Sequence, residues 1–305
     1  MRTTRAWRAR RLVWRVRRSG TRVARPLSLV RSAARPEGPI LVLGCPRSGT
    51  TLLLQGLLQS SELGSVQSEG HILWDEFHHP RDHGWESDAL SAEDVTQRER
   101  EYVYLAVRLF ARGRRFADKT PESCLRVPYL DALFPDATFV FLRRRAADNV
   151  NSLVEAWRAR PRFVKYHLPE PLTGLGPLSG AEWSFALVPG WRDLRTATLE
   201  EICARQYVAC NEAVLDARES MDPSRWIDLA YEELVSDPAA ELERLFVQLG
   251  VAFTPGAERF AADLTANVSR TALSAPQPEK WREQNPDAIE RILPLAAPTE
   301  RRLGY

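Results

Sequence analysis

Lysine is almost missing from this chain. Three of its 42 basic residues are lysines (Lys119, Lys165 and Lys280), and the other 39 are arginines. With abundant alanine, that deficit reads as the imprint of a GC-rich genome, and it makes each remaining lysine worth inspecting. No apolar run approaches the roughly 18–20 residues that a membrane-spanning helix needs. The basic start is not followed by an apolar stretch, so no export signal is expected. The four cysteines, Cys45, Cys124, Cys203 and Cys210, form no C-x-x-C pair and follow no framework spacing. They fit reduced thiols in a cytoplasmic protein better than a disulfide scaffold. No internal repeat is visible.

The 305 residues are 44% hydrophobic, enough for one large domain or a domain with an insertion. A net charge of +2 hides a strong asymmetry. Residues 1–38 hold twelve Arg against one acid, Glu37, a sum of +11, so the remaining 267 residues carry −9. This pattern predicts a poorly ordered basic arm that meets phosphate or a membrane surface, and no specific nucleic-acid-binding fold. Trp7, Leu12, Val13, Trp14 and Val16 would give the arm a broad apolar face as an interfacial helix, an alternative that allows peripheral membrane contact.

The body, 39–305, alternates strand and helix patterns. Ile40–Leu43 suits a buried parallel strand, and a loop at 44–51 leads into a helix to Ser60. A helix is expected over 92–112, a loop at Asp118–Pro121, and a helix through Leu133. A second strand is expected over Ala137–Leu142, then a helix over Ala147–Trp157. Residues 159–192, rich in Pro and Gly, read as an irregular binding loop or lid inserted into the domain. A helix over 197–219, a strand at Trp226–Leu229 and a helix over Pro238–Gly250 follow. The alternation predicts an α/β fold with a mainly parallel sheet.

The sharpest motif is Gly44-Cys45-Pro46-Arg47-Ser48-Gly49-Thr50-Thr51 between the first strand and helix. Its two glycines have the G-x4-G spacing of a phosphate-binding loop, which aims backbone N–H groups and a helix N-terminus at an anion. The nucleoside-triphosphatase version needs Lys after the second glycine. Here Thr50 takes that place and the cation sits inside the loop as Arg47. No strand ends in an Asp suited to hold Mg²⁺, which counts against a P-loop nucleotide kinase. A non-catalytic, membrane-associated nucleotide-binding protein is the alternative from another class.

At these residues the chain resembles the sulfotransferase superfamily, whose donor is 3′-phosphoadenosine 5′-phosphosulfate (PAPS). The resemblance implies a P-loop-containing three-layer α/β fold, a mainly parallel central sheet flanked by helices. It also implies that Pro46, Arg47, Ser48, Gly49, Thr50 and Thr51 bind the 5′-phosphosulfate. The family's later Arg and Ser, eight residues apart, hold the 3′-phosphate. They are matched by Arg144 and Ser152, although Arg143 and Arg145 compete for the first role. Asp118-Lys119-Thr120-Pro121 resembles the element whose Lys approaches the sulfonyl group. Tyr231-Glu232-Glu233-Leu234 resembles the segment whose Tyr lies near the adenine. Lys280-Trp281 resembles a late donor-binding element, and Leu303-Gly304-Tyr305 a common ending. The likeness covers about 39–305 and is nearest to the bacterial and tyrosylprotein-type branch.

Sulfuryl transfer builds negative charge on oxygen, which Arg47, Lys119 and the loop N–H groups can meet without a metal. The acceptor is expected to carry a hydroxyl, on a small molecule, a glycan or a peptide Tyr, and its attack needs a base. The tyrosylprotein-type branch uses a Glu in the segment resembling Ser65–His71, so Glu69 is the candidate, with His71 as the other choice. His71, His78, His79 and His83 lie near acidic residues, but their spacing fits no zinc pattern. Residues 70–90 and 159–192 are expected to line the acceptor pocket.

Overall fold

The computed structural model describes residues 34–66, 70–264, 272–275 and 277–305. Most of the Arg-rich arm and Glu69 lie outside the described residues.

A five-stranded, all-parallel sheet organises the body: β1 (Ile40–Leu43), β2 (Leu63–Gly64), β3 (Arg115–Lys119), β4 (Thr138–Arg143) and, after a separate hairpin, β7 (Trp226–Ala230). The order is β2-β3-β1-β4-β7, which puts β1 at the centre. Both faces are covered, as parallel sheets require. The period of two divides the core. Leu41, Leu43, Phe139 and Phe141 face one apolar cluster, while Ile40, Val42, Val140 and Leu142 face the other.

The helices are α1 (Thr50–Leu57), α2 (His71–Trp74), α3 (Gln97–Ala111), α4 (Val127–Leu133), α5 (Ala146–Arg158), α6 (Leu199–Glu219), α7 (Tyr231–Ser236), α8 (Pro238–Leu249), α9 (Pro255–Ala262), α10 (Trp281–Gln284) and α11 (Pro286–Arg302). Helices α5, α6 and α11 pack on one another, and α1, α8 and α9 cover the other side. The result is the α/β fold with a parallel sheet expected from the alternation, in the three layers that the resemblance implies.

Four elements differ from the sequence reading. The loop placed at Asp118 is the end of strand β3, whose charged Asp118 and Lys119 are buried at the sheet's carboxyl edge. The helix expected from residue 92 begins at Gln97, because Thr96 caps it and exchanges hydrogen bonds with Glu99. Residues 159–192 are not irregular: β5 (Val164–Leu172) and β6 (Gly180–Ser184) form an antiparallel hairpin. Along β5, Tyr166, Leu168 and Leu172 are buried while His167, Pro169 and Pro171 are exposed, so the prolines occupy the solvent side. Helix α11 was hidden by Pro294 and Pro298, both on its exposed face. There the lost hydrogen bonds are left to water.

Candidate functional site

The chain leaves β1 into the glycine loop at the carboxyl edge of the sheet, where open α/β folds bind ligands. The Ser48 amide donates to the Cys45 carbonyl at 3.0 Å, and Asn149 Nδ2 on α5 donates to the Pro46 carbonyl at 3.1 Å. Gly49 then takes φ 103° and caps α1. No side chain could stand there, because a Cβ would lie 2.6 Å from the Tyr231 ring. The first amides of α1 have no partner within the helix, and Thr50 and Thr51 lie on a cleft wall.

That cleft, of about 1160 Å³, runs along the carboxyl edge. At one end stand Arg47, Arg144, Ser152, Tyr231 and Lys280. Arg47 Nε donates to Ser152 Oγ at 3.3 Å, and its guanidinium lies 5.1 Å from the Phe163 ring centre. Burial, then Arg144 and Arg162, pull the Arg47 pKa down to about 10, so it remains a cation at neutrality. Arg144 donates to the Arg47 carbonyl at 2.8 Å and lies 4.2 Å over the Tyr231 ring. One buried donor beside the cleft, Arg144 Nε, has no hydrogen-bond partner among the described residues. A buried group of this kind is costly unless something accepts from it, and an oxyanion fits it.

The three adjacent arginines separate cleanly. Arg144 alone of them lines the cleft. Arg143 and Arg145 lie against the Tyr305 ring, at 5.8 and 4.9 Å. Lys280 Nζ reaches Ser274 Oγ at 2.5 Å and the Ala275 carbonyl, and burial followed by the nearby Arg144 pushes its pKa down.

Lys119, at the end of β3, is 5% exposed and lines the middle of the cleft with Pro121. Beside it, Thr120 Oγ1 donates to Asp118 Oδ2 at 2.9 Å. Gly70 presses against the same carboxylate, since a Cβ there would stand 2.4 Å from Oδ2. The backbone next to the candidate base therefore runs beside Asp118 and Lys119. Glu69 itself and the side chain of His71 lie outside the described residues.

The cleft also holds Asp75, Glu122 and Lys165, with Phe163, Tyr166 and Phe185 beside them; all but Glu122 fall in the segments 70–90 and 159–192 expected to line the acceptor pocket. Lys165 Nζ lies 2.6 Å from Glu122 Oε1 and 3.4 Å from Asp75 Oδ2. Behind them, Arg126 bonds Asp88 at 2.8 Å and Asp75 at 3.3 Å, and Tyr166 OH donates to Asp88 at 2.6 Å. Burial alone would raise the Glu122 pKa, but Lys165 and then Arg126 outweigh it and hold the carboxyl down at about 2. The lysine deficit was a second available signal, since Lys165 is the third of three.

The histidines have separate partners. His78 pairs with Glu99 at 2.8 Å inside the core. His79 borders the cleft, accepts at Nδ1 from the Arg81 amide at 3.1 Å, and is pushed toward the neutral form by burial and then by Arg81. Among the described residues no group of three or more His, Cys, Asp or Glu is arranged around a metal position. All four cysteines are buried free thiols.

With a glycine loop, an arginine-lined anion end and a lysine at mid-cleft, the fold and site define a P-loop-like group-transfer protein. The sequence profile described as "Sulfotransferase family" matches residues 39–169 and 180–255. The chain belongs to that family. It is 23% identical over 184 residues to the omega-hydroxy-beta-dihydromenaquinone-9 sulfotransferases Stf3 of Mycobacterium bovis and Mycobacterium tuberculosis. Those matches cover 57% of this chain and 41% of each relative, so the matched stretch spans under half the relatives' length. Among solved structures, sulfotransferase STF9 from Mycobacterium avium superposes with TM-score 0.55 at 17% identity, covering 87% of this chain and 76% of that one. The sulfotransferase domain of the Synechococcus olefin synthase gives 0.51 at 18%, covering 89% and 96%. Mouse sulfotransferase SULT7A1, solved with PAP, gives 0.50 at 15%, covering 91% and 90%.

Proposed function

We propose that the protein transfers a sulfuryl group from PAPS to a hydroxyl acceptor without a metal. The observation that carries the reading is the convergence of the glycine loop, Arg47 and Arg144 on the cleft, with the buried Arg144 Nε left without an acceptor among the described residues. The residues present fit a phosphorylated nucleotide: cationic donors at the loop and the flat Tyr231 ring for the base. PAP bound to the structurally similar mouse protein supports the same donor here.

PAPS supplies the activated sulfuryl group. The chain supplies orientation and charge. The loop amides of Ser48–Thr51 and Arg47 hold the 5′-phosphosulfate, Arg144 and Ser152 the 3′-phosphate, Tyr231 the adenine side, and Lys280 closes over the cleft. Lys119 stands at the middle, where charge on the sulfuryl oxygens grows during transfer, and preorganised cations there lower the barrier. Glu69 takes the acceptor proton, with His71 as the other choice; the reading is supported by the next residue, Gly70, which packs against the Asp118 carboxylate at the end of β3. His79 is the poorer base, because its Nδ1 lone pair is already used by the Arg81 amide.

The acceptor lies beside Phe163, Tyr166 and Phe185. Aromatic walls beside an ionised Glu122–Lys165 pair suit a largely apolar molecule with a polar terminus. The curated relatives, named for an omega-hydroxylated dihydromenaquinone, support such an acceptor. The basic arm would bring the enzyme to an anionic membrane surface in the cytoplasm. No described helix is long and apolar enough to cross a membrane.

The test is transfer of radiolabel from ³⁵S-PAPS, in EDTA, to a panel of hydroxylated sugars, tyrosyl peptides and lipophilic alcohols, the alcohols presented both in solution and in anionic vesicles. Label on a hydroxylated lipid, faster from vesicles and with that gain lost on removing residues 1–38, is the expected result. Label on sugars or peptides alone would overturn the lipophilic acceptor. No label on any acceptor would contradict the activity.

A further inference from the structure

Arg144 sits between two arginines that do not face the cleft, and both of them reach the last residues of the chain. Arg143 donates to the Leu303 carbonyl and lies 5.8 Å from the Tyr305 ring centre. Arg145 lies over the same ring at 4.9 Å. The Tyr305 hydroxyl donates to Glu232 Oε2 at 2.7 Å, and the other oxygen of that carboxylate accepts from the Arg145 amide at 3.0 Å. One residue further on, the Ala146 amide donates to Glu300 Oε1 at 2.9 Å.

Every residue flanking Arg144 from 143 to 146 is therefore tied to the end of α11 or to Glu232. Glu232 in turn follows Tyr231, the ring on which Arg144 lies. None of these ties uses the Arg144 guanidinium, which is left to the cleft and the Arg47 carbonyl. A planar guanidinium recognises phosphate through a narrow geometry, so its value depends on where its backbone is held.

The geometry points to Tyr305 as a positioning residue for the 3′-phosphate of the donor, acting through Glu232 and the Arg143–Arg145 turn to aim Arg144. The inference rests on the assignment of Arg144 to that phosphate. Tyr305 does not line the cleft. Its loss should therefore erase the recognition of one phosphate and spare the rest of the site.

The experiment measures, by calorimetry on the full chain, binding of PAP and of adenosine 5′-phosphate, which lacks the 3′-phosphate. Wild type, Tyr305→Ala, Tyr305→Phe, Glu232→Gln and Arg144→Ala are compared, with thermal unfolding to verify folding. In Tyr305→Ala, PAP binding weakens about tenfold, the scale of one charge-assisted hydrogen bond, while adenosine 5′-phosphate changes less than about twofold. Tyr305→Phe, which removes the hydroxyl–carboxylate bond but keeps the ring beside Arg143 and Arg145, and Glu232→Gln, which weakens both bonds of that carboxylate, fall between Ala and wild type. Equal weakening of both ligands in Tyr305→Ala would reduce the residue to a structural role and overturn the inference, as would no change in either. If Arg144→Ala narrows the gap between the ligands and the Tyr305 variants do not, the inference fails alone. If Arg144→Ala leaves the gap intact, the assignment of Arg144 fails and the inference falls with it.

Discussion

Arg47 stands inside its loop, where nucleoside triphosphatases instead place a lysine after the second glycine. The 3.3 Å bond to Ser152 holds the Arg47 guanidinium at the cleft wall, where the proposed function needs a cation. Gly49 is the residue on which the loop's shape depends most. With φ 103° and the Tyr231 ring 2.6 Å from where a Cβ would sit, alanine is strained and displaces the aromatic platform together. Gly49→Ala should destabilise the fold by about 1–3 kcal/mol. It should also weaken PAP binding by more than the stability loss explains, read by calorimetry well below the unfolding temperature. Unchanged PAP affinity would mean that the ring does not support the nucleotide. The loop and its partners Arg144, Ser152 and Tyr231 were legible because each sits in a short motif with fixed local geometry. The segments holding Asp75 and Lys165 were marked as pocket lining, but their pairing with Glu122 was not legible, because only folding brings residues from three distant segments to one wall.

Among the elements, the β5–β6 hairpin has most to do with the acceptor end. Its Lys165 joins Glu122, three residues beyond Lys119, to Asp75. The hairpin is thus tied to the strand end that carries the mid-cleft cation. The Glu122 carboxyl is depressed to about 2, below its ordinary value near 4.5. Its contribution to stability is complete above that ordinary value and is lost as pH falls from there through about 2. Lys165→Met should cost roughly 3 kcal/mol by leaving the carboxylate buried and uncompensated. The same change should flatten the acid limb of the stability–pH curve, as followed by urea unfolding between pH 7 and 3. Adding Glu122→Gln should restore most of that stability. A single variant with wild-type acid behaviour would show that the pair does not link hairpin and sheet. The hairpin escaped the sequence reading because Pro169 and Pro171 look like breakers, although both sit on an exposed strand face. Helix α11 escaped for the same reason. The strands β1, β4 and β7 and the helices beside them were legible because apolar runs and 3.6-residue patterning need no tertiary information.

At the scale of the whole molecule, the near-neutral total conceals a division of labour. Residues 39–305 carry net negative charge, and under the proposed function they bind a polyanion with locally concentrated cations: Arg47, Lys119, Arg144 and Lys280 all border one cleft. The +11 of residues 1–38 is separate from that set, and its partner is a matter for the vesicle comparison. A ligand bound only by the folded chain stabilises it by mass action, by about 2.7 kcal/mol at a hundred times its dissociation constant. PAP should therefore raise the unfolding temperature in a concentration-dependent way, with EDTA present. The most direct measurement of the central claim is calorimetric titration of the full chain with PAP and with ATP, with EDTA or with Mg²⁺, for wild type and Arg47→Ala. The account predicts that PAP binds in EDTA, and that Arg47→Ala abolishes this binding while remaining folded. Mg²⁺-dependent binding of ATP with no binding of PAP would contradict it.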